Sequence, residues 1–294
     1  MPSLDWRRDG VDWPNRDASL FVEAGGIRWH VQRMGAGPVL LLLHGTGAST
    51  HSWRRLAPIL ARRFTVVAPD LPGHGFTAMA ERDGMSLPGM ARMLAALLAE
   101  CGVAPAFVAG HSAGAAILAR MAIDGAVAPA AMVSLNGAFL PFGGALRFLS
   151  PIARVMAATP LAARLFASRA DDPRAVARLL DGTGSTLDAD GTALYARLIR
   201  SPAHVHGALT MMASWNLEAL VRDLGRLALP TLLVAAGNDR TVPPDQATRV
   251  AARMRDARVE PLPGLGHLAH EEAPDRVAAL IGSFFDSATR AASP

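Results

Sequence analysis

The pentapeptide Gly110-His111-Ser112-Ala113-Gly114 constrains the fold of this chain more than any other stretch. An apolar run at 104–109 precedes it, and a helix-forming run at 115–124 follows it. A G-x-S-x-G element between a strand and a helix forms a sharp, strained turn that leaves the serine hydroxyl clear of both elements. The two flanking glycines let strand and helix approach closely, because they carry no side chain. The sequence therefore predicts a strand–turn–helix unit with Ser112 as a nucleophile.

Continuous apolar runs recur along the chain and alternate with helical stretches. Val39–Leu43 contains no polar residue, which is typical of a strand buried on both faces of a parallel sheet. Similar runs lie at 65–68, 104–109, 131–135 and 231–235. The clearest helix starts after Ser86, a good N-cap, and stops before Gly102. This alternation predicts an α/β fold with a mostly parallel, doubly wound sheet.

The pattern changes near the start and in the middle of the chain. Residues 19–24 and 27–32 flank a Gly-Gly pair and predict an antiparallel hairpin. From 138 to 220 no strong strand run occurs, and prolines punctuate short helical pieces. We therefore expect an α/β core formed by 1–137 and 221–294, with 138–220 inserted as a helical lid over the carboxyl edge of the sheet.

Composition excludes several other classes of protein. Hydrophobic residues make up 51% of the 294 residues, which is ample for a large core. The formal net charge is +4, and every basic residue is an arginine dispersed among acids. Because these arginines form no basic stripe interleaved with aromatics, we expect no nucleic-acid partner. The single cysteine, Cys101, permits neither an intramolecular disulfide nor a thiolate metal cluster.

The chain shows no signal for secretion or for crossing a membrane. Residues 1–9 are polar, and no uncharged apolar run reaches 18 residues. We expect a cytoplasmic protein without a transmembrane segment. Its apolar surface leaves peripheral contact with a membrane open.

Two further residues complete a catalytic triad with Ser112. Asp239 follows the predicted strand at 231–235, and His267 follows the next predicted strand at 259–262. Serine catalysis needs a base to take the hydroxyl proton and an acid to orient that base. All three residues fall at carboxyl ends of strands, where open α/β sheets bind their ligands. Asp245 and His270 are the nearest competitors, but each lies at the start of a following helix.

The loop after Val39–Leu43 is expected to supply part of an oxyanion hole beside this triad. Backbone N–H groups of Thr46 and Ala113 would stabilise a developing oxyanion. A phosphate-binding role for the loop is disfavoured, since it lacks the lysine of a P-loop. Asp70 and His74 are expected to hold their own turn-rich loop. His204 and His206 lack a third ligand pattern, so we expect no metal site and no cofactor.

Together these residues resemble the α/β-hydrolase superfamily over essentially the whole chain. The motifs that carry this resemblance are His44-Gly45, Trp53, 70–75, 110–114, Gly237-Asn238-Asp239 and Gly266-His267. A narrower resemblance, to the BchO-type accessory proteins of magnesium chelatase in bacteriochlorophyll biosynthesis, rests on several segments. They are 9–16, 24–32, 44–54, 86–91, 111–116 and 135–138. This resemblance implies a photosynthetic bacterium and a role around magnesium insertion into protoporphyrin.

Two classes of function follow from these features. The first is a serine hydrolase of a bulky, apolar carboxylic ester, in or near bacteriochlorophyll biosynthesis. The second is a non-catalytic accessory protein that binds a tetrapyrrole or magnesium-chelatase subunits. Thioesterase, cofactor-free haloperoxidase and C–C hydrolase chemistry use the same triad and stay open. Epoxide hydrolysis and dehalogenation would need a carboxylate at position 112. The residues expected to contact the substrate are His44, His111, Phe139, Phe142 and Trp215.

Overall fold

The computed structural model describes residues 1–141, 159–168 and 172–292. Its centre is an eight-stranded sheet with the strand order β1-β2-β4-β3-β5-β6-β7-β8. The strands are β1 (Ser19–Ala24), β2 (Ile27–Met34), β3 (Val39–Leu43), β4 (Thr65–Pro69), β5 (Phe107–His111), β6 (Ala131–Leu135), β7 (Thr231–Ala236) and β8 (Ala257–Leu262). The pairs β1–β2 and β2–β4 are antiparallel, and all others are parallel. The expected α/β fold is confirmed.

Helices cover both faces of the sheet. They are α1 (Trp6–Asp9), α2 (Leu56–Leu60), α3 (Leu87–Glu100), α4 (Ala113–Ile123), α5 (Pro160–Ala167), α6 (Pro173–Asp181), α7 (Ala189–Ile199), α8 (Pro202–Ser214), α9 (Glu218–Asp223), α10 (Asp245–Ala251), α11 (Ala269–Glu272) and α12 (Pro274–Ala292). Short 3₁₀ turns lie at Arg16–Ala18, Thr50–Trp53, Arg82–Met85 and Leu224–Arg226. Helices α3 and α4 bury their apolar sides in one core, and α2 and α12 do so in the other. Because helices pack on both faces of the sheet, its parallel strands are buried on both faces, as their continuous apolar runs predict.

The local predictions for the hairpin and for α3 are confirmed. Gly25 and Gly26 both have positive φ angles, 57° and 80°, as a tight hairpin turn requires. Ser86 caps α3, since its hydroxyl accepts a hydrogen bond from the Gly89 N–H. Strand β5 differs from the expected 104–109, because it starts at Phe107 and continues to His111. Pro105 lacks an N–H for the ladder, so the pairing begins later and ends directly at Ser112.

The regular secondary structure that the structure describes between β6 and β7 is helical, with turns and irregular segments between the helices. Helices α5 to α8 fall within 138–220, and α9 crosses the expected boundary at residue 220. The division into a core and a lid stays a prediction. Among the described residues, no helix combines the length and the apolar character needed to cross a bilayer.

A segment before β1 packs against the inserted helices. Trp13 is 2% exposed and lies in a small apolar cluster with Leu194 and Leu198 of α7. Arg197 on the same helix contacts Asp12 with two hydrogen bonds, of 2.6 and 2.8 Å. Residues distant in sequence therefore hold α7 against the rest of the molecule.

Candidate active site

Ser112 lies in the sharp turn between β5 and α4. Its backbone has φ 50° and ψ −116°, a conformation that costs a residue with a side chain about 1–3 kcal/mol. The turn needs the neighbouring glycines. A Cβ at Gly110 would lie 2.5 Å from the Ala115 nitrogen, and one at Gly114 would lie 2.2 Å from the Leu43 carbonyl oxygen. The strained turn of the sequence prediction is therefore present at Ser112.

Asp239 and His267 form a buried hydrogen-bonded pair. The His267 Nδ1 donates to Asp239 Oδ2 over 2.7 Å, and the Asp239 side chain is fully buried. The other carboxylate oxygen accepts the backbone N–H groups of Thr241 and Val242 at 2.7 and 2.8 Å. With its Nδ1 proton held by the carboxylate, a neutral His267 has Nε2 as its basic nitrogen.

The loop that carries His267 contacts the serine turn through His111. Its Nε2 donates to the His267 carbonyl oxygen over 2.9 Å, and the two imidazole rings lie 4.6 Å apart. The Ser112 hydroxyl makes no hydrogen bond within 3.5 Å to any residue that the structure describes. Bonds between nucleophile and base are often long until substrate binds. The three predicted triad residues thus converge on one edge of the sheet.

Two backbone amides beside Ser112 have no acceptor within the described ranges. They belong to Thr46, in the loop after β3, and to Ala113, the first residue of α4. The first N–H groups of a helix have no intrahelical partner and carry its positive dipole end. A Cβ at Gly45 would lie 3.0 Å from the Ser112 Cβ, so the loop after β3 touches the serine turn. Both amides are therefore available to an anionic oxygen.

His204 joins helix α8 to the loops that surround this turn. Its Nε2 donates to the Gly47 carbonyl oxygen at 3.1 Å, and its Nδ1 accepts the Gly75 N–H at 3.0 Å. Burial lowers the pKa of His204 to about 4, so the neutral ring can serve as donor and acceptor at once. A Cβ at Gly207 would lie 2.0 Å from the Gly73 carbonyl oxygen, which shows how closely α8 approaches the core.

We expect His204→Ala to lower the free energy of unfolding by about 3 kcal/mol. The substitution removes two buried hydrogen bonds and leaves the Gly47 carbonyl and the Gly75 N–H without partners. Urea unfolding measures the loss. Met212→Ala is the matched control, because Met212 is 45% exposed on the same helix. Equal stability of the two variants would show that the hydrogen bonds of His204 do not stabilise the packing of α8 on these loops.

A buried charged network links α7 to Glu271 of α11, which lies four residues after His267. Arg54 contacts Glu271 on one side and Asp188 on the other, the latter at 2.8 Å. The Tyr195 hydroxyl donates to Glu271 Oε1 over 2.7 Å. Burial raises the pKa of Glu271 to about 7, against the opposing charge of Arg54. Glu271 is thus a carboxyl group that titrates near neutral pH inside the protein.

The stability of the wild-type protein should fall with rising pH through Glu271. A raised native pKa stabilises the fold fully below the ordinary value of 4.5 and loses that contribution as pH rises to about 7. Glu271→Gln lacks the titration. From pH 4.5 to 7.5, the free energy of unfolding of Glu271→Gln minus that of wild type should therefore rise by on the order of 3 kcal/mol. Urea unfolding at both pH values, with exposed Glu100→Gln as control, measures this. A pH-independent difference would refute it.

Three of the five residues predicted to contact substrate, His44, His111 and Phe139, are buried. His44 is fully buried, donates from Nδ1 to the Gly45 carbonyl oxygen at 2.8 Å, and accepts the Leu71 N–H at 2.9 Å. Phe139 and His111 are 1% and 2% exposed. Their contact with substrate stays a prediction, since Ser112 itself is only 8% exposed. Trp215 is half-buried against the core. Phe142 lies outside the described residues.

The remaining predicted polar residues take the structural positions expected of them. Asp70 accepts hydrogen bonds from the Thr50 and Phe76 amides at 2.6 and 2.9 Å, and from His30 at 2.8 Å. Burial alone would raise the pKa of Asp70, but the adjoining His30 holds it well below its usual range. Within residues 1–141, 159–168 and 172–292, no cluster of three or more His, Cys, Asp or Glu side chains has the geometry for a metal ion.

The sequence interpretation missed Asn136, His204 and the network around Glu271. Asn136 directly follows β6 and has a positive φ of 50°, a conformation in which asparagine is enriched. Its position at a strand end beside a glycine was the available signal. Nothing local marks the partners of His204 or Glu271, since both contact residues more than 75 positions away.

Comparison with known proteins agrees with this fold. The family model of the alpha/beta hydrolase fold matches residues 38–274, and the chain belongs to that family. It is 41% identical over 281 residues to the "Magnesium-chelatase 30 kDa subunit" of Rhodobacter capsulatus, covering 95% of this chain and 98% of that protein. The resemblance to magnesium-chelatase accessory proteins is thereby confirmed.

Other relatives are hydrolases by name or by fold. "Pyrrolizixenacetamide deacetylase" from Xenorhabdus hominickii is 30% identical over 258 residues, covering 85% of this chain and 91% of that protein. Among solved structures, an alpha/beta hydrolase fold protein from Burkholderia ambifaria superposes with a TM-score of 0.76 and 25% identity. That match covers 90% of this chain and 97% of the other.

Proposed function

We propose that this protein is a serine hydrolase of the carboxylic-ester type. The observation that carries the proposal is the buried Asp239–His267 pair, with its 2.7 Å hydrogen bond, beside a serine in a strained strand–helix turn. A carboxylate on Nδ1 selects the tautomer in which Nε2 can accept a proton from serine. The free amides of Thr46 and Ala113 supply the remaining element of acyl transfer.

The proposed reaction proceeds in two steps. The Ser112 oxygen attacks the ester carbonyl carbon while His267 takes the hydroxyl proton, and the oxyanion binds the amides of Thr46 and Ala113. The C–O bond then breaks, and His267 gives its proton to the departing alcohol. In the second step, water attacks the acyl carbon and gives a proton to His267. The bond from that carbon to Ser112 Oγ then breaks, His267 returns the proton to the serine oxygen, and the acid leaves. No cofactor enters this sequence.

The expected substrate is bulky and apolar. Exposed apolar side chains on the inserted helices support this, and they are Leu161, Leu165, Phe166, Leu179 and Met212. Other apolar residues of the insertion, Leu140 and Met211 among them, are buried in the core and give no information on the substrate. In this proposal the described part of 138–220 forms a lid, and the hydrolase acts at or near the magnesium-chelatase step.

A second candidate is an accessory protein that does not catalyse. The observation in its favour is the 41% identity with a protein named as a magnesium-chelatase subunit. In this case the chain would bind a tetrapyrrole or the chelatase subunits on a hydrolase scaffold. The buried Asp239–His267 pair argues against it, because a binding protein has no chemical need for a polarised imidazole beside Ser112.

A fluorophosphonate probe separates the two candidates. The serine oxygen displaces fluoride from phosphorus and leaves a stable phosphonyl ester, so labelling mapped to Ser112 supports the hydrolase. The same preparations are then added to a magnesium-chelatase assay. Labelling together with stimulation that is lost in Ser112→Ala supports catalysis in the pathway. Absence of labelling with full stimulation supports the accessory protein and contradicts the hydrolase.

A further inference from the structure

Asn136 contacts the carboxylate of the proposed triad from a strand that carries no triad residue. It follows β6, and its Nδ2 donates to Asp239 Oδ2 over 2.7 Å. The same oxygen accepts the proton of His267 Nδ1. Asn136 is 4% exposed, and its backbone N–H is bonded to the Val234 carbonyl oxygen at 3.0 Å. The amide is therefore held in place by the sheet and aimed at the acid.

Asn136 also lines a small cavity. The cavity has a volume of about 20 Å³, and its lining includes Ser134, Asn136, Gly137, Phe139, Val242 and Pro243. Two polar atoms at this lining, Ser134 Oγ and Asn136 Oδ1, are buried without a hydrogen-bond partner among the described residues. A cavity holds a water when it has about 10–15 Å³ or more of accessible volume and at least two polar partners. The volume meets the first condition, and the two unpartnered oxygens belong to lining residues that can meet the second.

We infer that Asn136 is a positioning residue for Asp239, and that one water in this cavity completes its hydrogen bonds. The inference rests on the proposed function, in which Asp239 orients His267. The amide must present Nδ2 to Asp239, because the reverse orientation would place two acceptors together. A water that donates to Oδ1 and bonds to Ser134 Oγ satisfies the buried oxygens at the opposite end.

The second donor on Oδ2 has two consequences for His267. It fixes the carboxylate in the orientation that meets Nδ1, and it draws part of the negative charge away from the imidazole. Without it, the carboxylate would stabilise a protonated imidazole more strongly and hold it less accurately. Loss of Asn136 should therefore slow proton transfer and move the acidic limb of the pH–rate profile to higher pH.

Other titratable groups near Asp239 and His267 do not obscure the expected shift of the pH–rate profile. Burial holds the pKa of His111 well below its usual range and lowers that of His270 to about 3. Both rings therefore stay neutral from about pH 5 to 9. The charged residues closest along the chain are Arg240, which is exposed, Glu271, and Glu272, whose carboxylate accepts the Gly266 N–H at 2.8 Å. Burial raises the pKa of Glu271 to about 7, but its carboxylate is bonded to Arg54 and Tyr195 and is present in every variant, so its titration cancels in the comparison. None of the three contacts the amide of Asn136.

The test measures the second-order rate of fluorophosphonate labelling from about pH 5 to 9. Asn136→Gly deletes the amide and still suits the positive φ of 50°. We expect labelling to slow by about 10- to 100-fold, with the acidic limb moved upward by about half a pH unit or more. Asn136→Asp, which adds a carboxylate, should move the limb further. Asn238→Asp adds the same charge at an exposed neighbour of Asp239 and should leave both quantities unchanged.

A proton NMR measurement makes the test independent of reactivity. The proton between Asp239 and His267 gives a downfield signal, which should shift in Asn136→Gly and stay in place in Asn238→Asp. An unchanged signal, or labelling at the wild-type rate and pH profile, would overturn the positioning role. Wild-type protein that fails to label would instead count against the hydrolase, and the NMR result still decides the role of Asn136. A crystal structure with a dry cavity would overturn the water site.

Discussion

Ser112→Ala is expected to abolish fluorophosphonate labelling and to reduce ester hydrolysis by about a millionfold. The hydroxyl is the only group of residue 112 that can attack an acyl carbon or phosphorus. The fold should persist, since alanine retains the Cβ of serine in the same turn. Ser287→Ala, in α12 and far along the chain from the triad, controls for nonspecific loss of a serine. Labelling that survives in Ser112→Ala would show that another residue reacts.

Ser112→Gly should behave differently from Ser112→Ala in stability. The backbone at φ 50° and ψ −116° is strained for any residue with a Cβ, and glycine relieves that strain. We expect Ser112→Gly to be more stable than Ser112→Ala by about 1 kcal/mol, although glycine also makes the unfolded chain more flexible. Thermal unfolding of the two inactive variants measures this difference. A more stable alanine variant would mean that the strain in the turn is smaller than the entropy that glycine adds to the unfolded chain.

Asp239→Asn is expected to lower the hydrolytic rate about ten-thousandfold. Asparagine keeps the shape of aspartate but has one acceptor oxygen where Asp239 has two. The carboxylate accepts two amides at Oδ1 and both His267 and Asn136 at Oδ2. An amide nitrogen in place of Oδ2 would face two donors, so His267 would have to adopt the wrong tautomer.

The matched control for Asp239→Asn is Asp245→Asn. Asp245 is the competing acid of the sequence interpretation, and it begins helix α10. We expect its substitution to leave hydrolysis and labelling unchanged. Steady-state kinetics should place the loss in Asp239→Asn on kcat, with KM little affected, because Asp239 acts on the base and not on the substrate. Equal activity of the two variants would remove Asp239 from the proposed triad.

The sheet was largely predictable from the sequence because its strands carry a strong local signal. Val39–Leu43 is an uninterrupted apolar run, Ala131–Leu135 is apolar except for Ser134, and both are strands with the predicted bounds. The start of β5 was wrong by three residues, since apolar character continues through Pro105, where no ladder donor exists. Local hydrophobicity reports burial well, but it does not report which backbone groups pair.

The approach of the proposed triad residues was predictable for a topological reason. Parallel strands bring their carboxyl ends to one edge, so residues after β5, β7 and β8 meet whatever the intervening sequence. The residues that hold the proposed triad in place had no comparable signal in the sequence. Asn136 and His204 each act through partners far along the chain, and the burial of His44 depends on which way one loop side chain turns. A sequence pattern does not report which way a side chain points or which distant residue it contacts.

The contact between Trp13 and helix α7 has a consequence for how the chain is made. About 180 residues separate Trp13 from Leu194 and Leu198, which bury its indole. At a ribosomal rate of about 5–20 residues per second, the indole waits roughly 10–40 seconds for these partners. During that time the hairpin and the first parallel strands can assemble, and the indole has only its early partners, Thr50, His51 and Phe76. Newly synthesised chains therefore bury this part of their surface late, after most of the sheet has left the ribosome.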